Sequence, residues 1–159
     1  MLSHTKDKKL NNRIIQSVLF CCNYNSVRSP MAEGIFKNLI GRKIFVQSAG
    51  VFDTLEIDGF TVKVCDEINV KLSKHRVRSL REMEKEGGFI GSFDLIIPLT
   101  KESSQEAHKY STYSSVMIDD WMVEEPVKHE NNINETLDSY RKTRDIIFDK
   151  INKRFQDYF

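Results

Sequence analysis

The chain is poor in cysteine, proline and glycine, and it has no charge of one dominant sign. Its 159 residues hold 3 cysteines, an odd number, which excludes a secreted domain stapled by paired disulfides. With 3 prolines and 7 glycines it is not a low-complexity or linker-built chain. No apolar run approaches the roughly 20 residues of a membrane helix. Lys and Arg number 24 against 23 Asp and Glu, a net charge of +1. The basic footprint of a nucleic-acid-coating protein is therefore missing. The opening residues 1–13 are polar and Lys-rich with no apolar segment behind them, unlike a secretory signal. They read as a flexible extension whose Lys6, Lys8 and Lys9 are solvated. What is present is 40% hydrophobic and 30% charged residues, enough for a real core in one domain spanning 14–159. That domain is expected to be cytoplasmic, an enzyme or a small binding module, with no membrane and no nucleic-acid partner.

From Arg13 onward, short apolar runs alternate with helical patterns. Ile14 to Cys22 ends in a near-continuous apolar stretch, the habit of a strand buried on both faces. A turn-forming stretch, Asn23 to Ser26, follows. Ser29 and Pro30 suit an N-cap and a first helical position, and Gly41 ends that helix. Further strands are expected at Lys43–Ser48, Asp94–Leu99 and Ser115–Ile118. Helices are expected at Asp58–Val70, after the basic stretch Lys74–Arg78, from Thr100 to about Tyr110, and from Ile133 to Phe155. In the last of these, Ile133, Leu137, Tyr140, Ile147, Ile151 and Phe155 recur at helical spacing. The order predicts an α/β fold of three layers, a four-stranded parallel sheet with helices on both faces.

The chemistry is concentrated between Val18 and Glu33, VLFCCNYNSVRSPMAE. In such sheets ligands bind at the carboxyl ends of strands. The loop leaving Cys22 can wrap its backbone N–H groups around one point. A helix N-terminus aims further N–H groups there. Arg28 adds a planar fork suited to two phosphate oxygens. A cysteine in that field is expected to ionise readily and to act as a nucleophile toward a bound oxyanion. Cysteine pairs at strand ends can also be plain core residues. Cys21 should point to the opposite face from Cys22, and Cys65 lies on an apolar helical face. Both read as buried structural thiols.

Val18, Leu19, Phe20, Cys22, Asn25 and the run Arg28-Ser29-Pro30-Met31-Ala32-Glu33 resemble the signature of the low-molecular-weight protein tyrosine phosphatases. Ser48-Ala49-Gly50, His75-Arg76, Phe93-Asp94 and Glu125-Pro126 extend the likeness over about residues 14–156. The resemblance implies a cysteine-dependent phosphomonoesterase that works through a phosphocysteine. Its substrate would be a phosphotyrosine protein or a small phosphomonoester. Cys22 would be the nucleophile. Asn23, Tyr24, Asn25, Ser26, Val27, Arg28 and Ser29 would hold the phosphate. Ser29 would also bond the thiolate. Asn25, in a left-handed conformation, would be pinned by Ser48 and His75. No cofactor and no metal is implied: no His, Cys and Asp cluster stands at ligand spacing.

Four departures qualify the likeness. Glu125 stands where the family has the general-acid Asp, one methylene longer, with Asp119, Asp120 and Glu124 as neighbouring acids. Val127 and Lys128 replace the aromatics that follow in phosphotyrosine-active members, leaving Phe52 as an aromatic wall. Tyr24 replaces a common glycine, either narrowing the mouth or supplying an aromatic contact. Val27 replaces a second cysteine that often precedes the arginine. Two alternative functions share the fold. A catalytically weak relative would bind phosphate or a phosphoprotein. A thioredoxin-linked arsenate reductase would need resolving cysteines, and residues 66–159 contain none.

Overall fold

The computed structural model describes residues 14–159; the extension expected at 1–13 lies outside them. Four strands form one parallel sheet: β1 Ser17–Cys22, β2 Phe45–Gly50, β3 Leu95–Pro98 and β4 Met117–Ile118, in the order β2-β1-β3-β4. Five helices connect and follow them: α1 Arg28–Ile40, α2 Gly59–Asp66, α3 Leu80–Lys85, α4 Lys101–Ser111 and α5 Ile133–Arg154. The α/β class and the four-stranded parallel sheet are as the alternation of patterns predicts.

The apolar character of β1 follows from its position. It is paired on both sides, with Leu19 opposite Gln47 of β2 and Ile96 of β3, and both of its faces are covered. Val18, Phe20 and Cys22 face the larger core, with Phe36 of α1 and Ile147, Ile151 and Phe155 at the C-terminal end. Leu19 and Cys21 face a second core with Leu80, Met83 and Ala107. The period-2 alternation of a strand thus sends the adjacent cysteines to opposite sides.

Several boundaries differ from the sequence reading. β1 begins at Ser17 rather than Ile14, whose side chain is exposed. β4 keeps only Met117 and Ile118, at a sheet edge. α2 starts after Asp58, whose carboxylate caps it, and ends at Asp66 rather than Val70. Asn69 there has a positive φ of 62°, a turn conformation that asparagine tolerates. Ile133 is 65% exposed and outside the core despite its spacing, because it stands in the first turn of α5, ahead of Leu137, the first core residue of that helix. α1 starts at Arg28, and Ser29 is not its cap: the N-cap position is Val27, with no side-chain cap bond. The hydroxyl of Ser29 is engaged elsewhere.

Candidate active site

Residues 23–28 run from the carboxyl end of β1 into the first residue of α1. Among the described residues, their backbone N–H groups donate to no protein acceptor. Successive free amides followed by a helix N-terminus make a concave nest for an anion. Cys22 lies at its floor, 2% exposed. Its sulfur is 2.9 Å from the Ser29 hydroxyl and 3.4 Å from the Ser29 backbone N–H, which donates to it. The Ser29 oxygen already accepts a bond from Asn25 Nδ2 at 2.9 Å. Its own proton is therefore free to point at the sulfur.

Asn25 holds the loop's centre. Its φ is +55°, and its side chain uses every bonding position it has. Nδ2 donates to the hydroxyls of Ser29 and Ser48, each at 2.9 Å. Oδ1 accepts from His75 Nε2 at 3.1 Å and from the Arg78 backbone N–H at 3.0 Å. Since an amide oxygen only accepts, Nε2 of His75 carries the proton. Ser48 passes its own proton to Glu33 Oε1 at 3.0 Å. Burial pushes the Glu33 carboxyl up. The nearby His75 ring, its Nδ1 3.8 Å from Oε2, and the charge of Lys37 outweigh that and hold it below the ordinary glutamate range. Ser48 and His75 thus stand on Asn25, where the resemblance puts them. Glu33, beneath both, was no more than one letter of the signature in the sequence.

Gly50 is required by the same packing. A Cβ there would fall 2.7 to 2.8 Å from the backbone of Asn23, Tyr24 and Asn25. The chain beyond it wraps the loop. Val51 N–H donates to the Cys22 carbonyl at 3.0 Å, Phe52 N–H to that of Asn23 at 2.7 Å, and Asp58 N–H to that of Ser26 at 3.1 Å.

A cavity of about 230 Å³ opens over Cys22, lined by Arg28, Asp58, Glu125, Lys128 and Tyr140 among others. Arg28 is 9% exposed and donates one N–H to the Val123 carbonyl at 2.9 Å. That bond ties the segment carrying Glu125 to the loop and leaves the rest of the guanidinium fork for a ligand. Asp58, which the sequence reading missed, is saturated. It accepts from Phe60 N–H, from Tyr140 Oη at 3.0 Å and from Lys128 Nζ at 2.9 Å. Glu125, by contrast, is exposed and has no hydrogen bond or ion pair within the described residues. The neighbouring acids are elsewhere: Asp119 pairs with Arg154, Asp120 with His108, and Glu124 does not line the cavity.

The other expected residues fall as follows. Tyr24 is half exposed on the cavity rim, its ring 5.5 Å from that of Phe52. Ser26 and Val27 line the wall, and Val127 and Lys128 are exposed. Asn23 turns its side chain away to Thr100. Cys21 and Cys65 are buried apart from the cavity; burial pushes the Cys65 thiol up to about 12 and that of Cys21 higher still. Among the described residues no three His, Cys, Asp or Glu side chains converge as a metal group, and no helix is long and apolar enough to cross a membrane.

A family model described as low molecular weight phosphotyrosine protein phosphatase matches residues 17–159. A solved low molecular weight protein tyrosine phosphatase from T. tengcongensis is 29% identical. It covers 89% of this chain and 99% of its own, with a TM-score of 0.68. The YwlE arginine phosphatase is 25% identical over 89% of this chain and 96% of its own, with a TM-score of 0.69. Among curated proteins, an arsenate reductase of Bacillus licheniformis is 27% identical over 142 residues, 89% of this chain and 96% of its own. These relatives carry names of different activities, the two solved ones share this fold, and the chain belongs to the low molecular weight phosphotyrosine protein phosphatase family.

Proposed function

We propose that the protein is a cysteine-dependent phosphomonoesterase of the protein tyrosine phosphatase type. The observation that carries this reading is the pairing of a free amide nest around Cys22 with one unpaired carboxyl, Glu125, on the wall of the same cavity. The Cys22 thiolate attacks phosphorus as the P–O bond to the leaving group breaks. Glu125 gives its proton to that leaving oxygen. The nest amides and Arg28 carry the charge on the three equatorial oxygens. Water then attacks phosphorus, passes a proton to Glu125, and the S–P bond breaks to return the thiolate held by Ser29.

Asp58 is already engaged: its oxygens accept from the Phe60 and Thr61 N–H groups, the Tyr140 hydroxyl and Lys128, which leaves Glu125 as the carboxyl free to face a leaving group. The rim supports an aromatic substrate through the Tyr24 and Phe52 rings.

The arsenate reductase names among the relatives favour a second reading. It asks for a second thiol to resolve the arsenylated nucleophile. Cys22 is the sole cysteine lining the cavity, while Cys21 and Cys65 are buried in separate cores. That arrangement supports hydrolysis over reduction.

The test is metal-free hydrolysis of an aryl phosphate across about pH 4.5–8, beside arsenite release from arsenate with a thioredoxin-type dithiol. Hydrolysis that disappears in Cys22→Ser is the expected result. Arsenite release without hydrolysis would assign the chain to reduction. Phosphate binding with neither turnover would make it a binding module.

A further inference from the structure

Cys22 stands between two residues that are anchored to the same place, the start of α4. Behind it, the Cys21 carbonyl accepts the Leu99 backbone N–H at 2.8 Å, with the Ser103 hydroxyl oxygen 3.2 Å away. Ahead of it, Asn23 Oδ1 accepts the Thr100 hydroxyl at 2.7 Å. Thr100 and Ser103 are the reciprocal capping box of α4. Ser103 N–H donates to Thr100 Oγ1 at 3.0 Å and Thr100 N–H to Ser103 Oγ at 3.1 Å. Their hydroxyls are 2.7 Å apart, and the residues are 5% and 0% exposed.

The proton count sets the direction of this chain. A hydroxyl has one proton, and an amide oxygen only accepts. Thr100 therefore spends its proton on Asn23 and receives the N–H of Ser103. The one Ser103 proton is divided among Thr100 Oγ1 at 2.7 Å, the Thr100 carbonyl at 3.1 Å and the Cys21 carbonyl at 3.2 Å. A capping box needs only to satisfy the first amides of its own helix. This one also reaches residues 77 and 82 positions earlier, and those two residues are the immediate neighbours of one cysteine.

We propose that Thr100 and Ser103, acting through Asn23 and the Cys21 carbonyl, position the nucleophile. The claim rests on the phosphatase reading above and deepens it. Asn25 fixes the centre of the nest. The capping box fixes where the sulfur stands relative to it. Thr100 and Ser103 do not line the cavity, so they act through the loop and touch no reacting atom.

The experiment compares the full-length parent with Asn23→Leu, Thr100→Val, their double variant and Thr100→Ser. Three quantities are read: kcat and KM on an aryl phosphate, the second-order rate of Cys22 alkylation by iodoacetate, and Tm. Asn23→Leu leaves the helix cap intact, so it separates positioning from capping. Each of Asn23→Leu and Thr100→Val is expected to lower kcat about fivefold to tenfold, the scale of one well-placed hydrogen bond, with KM moving less than about twofold. The alkylation rate should fall with kcat. The double variant should be no slower than the slower single, since both cut the same bond. Thr100→Ser keeps the hydroxyl and should keep the rate. Parental kcat and alkylation in Asn23→Leu, losses that multiply in the double variant, or a loss that follows Tm alone would each overturn the proposal. A parent without turnover would sink the phosphatase reading. The positioning claim would then stand or fall on the alkylation rates, which need no turnover.

Discussion

The floor and the rim of the cavity are built by opposite rules. On the floor, Asn25, Ser29 and Ser48 are fully buried and bond one another, and Asn25 has no unused valence. On the rim, Glu125 and Lys128 are exposed, Tyr24 is half exposed with the Phe52 ring beside it, and Glu125 has no hydrogen bond or ion pair in the described chain. A satisfied, buried network loses little by reorganising when charge develops, which suits transition-state stabilisation. An exposed rim is free to vary, which suits choice of substrate. Under the phosphatase reading, the floor carries the chemistry and the rim selects what it acts on.

Substitutions at the two levels should therefore fail differently. The largest effect is expected at Cys22→Ser, which should lower turnover by at least about ten-thousandfold while phosphate still binds. Isothermal titration with inorganic phosphate beside a turnover assay checks both halves. Next comes Glu125→Gln, which removes the proton donor and should lower kcat by about a hundredfold or more. Glu125→Asp shortens the reach by one methylene, and its ratio to the parent measures whether the longer side chain is the fitted one. On the floor, Asn25→Ala strands buried donors and acceptors and should cost about 2–4 kcal/mol of stability, read as a lowered Tm together with a lowered kcat. On the rim, Tyr24→Ala should raise KM for aryl phosphates about threefold to tenfold and leave Tm nearly unchanged. An equal gain in rate for aryl and alkyl phosphates would instead make Tyr24 a steric gate.

The pH dependence sharpens the same contrast. The folded-state pKa of Glu33 lies below its ordinary value, since His75 and Lys37 together outweigh burial. A lowered carboxyl stabilises the fold fully above the unfolded pKa and loses that contribution as pH falls through the lowered one. Acid unfolding should therefore steepen below the usual glutamate range. Glu33→Gln should flatten that limb in a pH series of urea melts.

The floor was more legible in the sequence than its supports. Strand, turn, cysteine, arginine and helix start are contiguous, because one nest needs consecutive amides at a strand's carboxyl end. The sheet was legible for a related reason: Val18 to Cys22 and Leu95 to Leu99 are nearly all apolar because both of their faces are covered. Asp58, Tyr140, Thr100 and Ser103 carried no such local mark. Tyr140 bonds Asp58 across 82 positions, a distance over which spacing says nothing. Tyr140 did stand out, but as one apolar position of a helix, since periodicity reads its ring and not its hydroxyl. Ser29 was misplaced as a helix cap because the pair Ser-Pro signals a helix start equally well when its hydroxyl turns to a sulfur. His75 lies in a basic run that composition alone reads as solvated charge; only the resemblance assigned it to Asn25, on which its ring stands with the side chain 7% exposed.

The most direct test of the central claim is a rapid-quench experiment on Glu125→Gln with excess 4-nitrophenyl phosphate, whose leaving group departs without an acid, so that the substitution slows the hydrolysis step alone. Removing the base should let the intermediate accumulate. The account predicts a burst of aryl alcohol equal to the enzyme concentration, with a phosphoryl group on the peptide carrying Cys22. Steady turnover with no burst and no adduct on Cys22, in a variant that still binds phosphate, would contradict it.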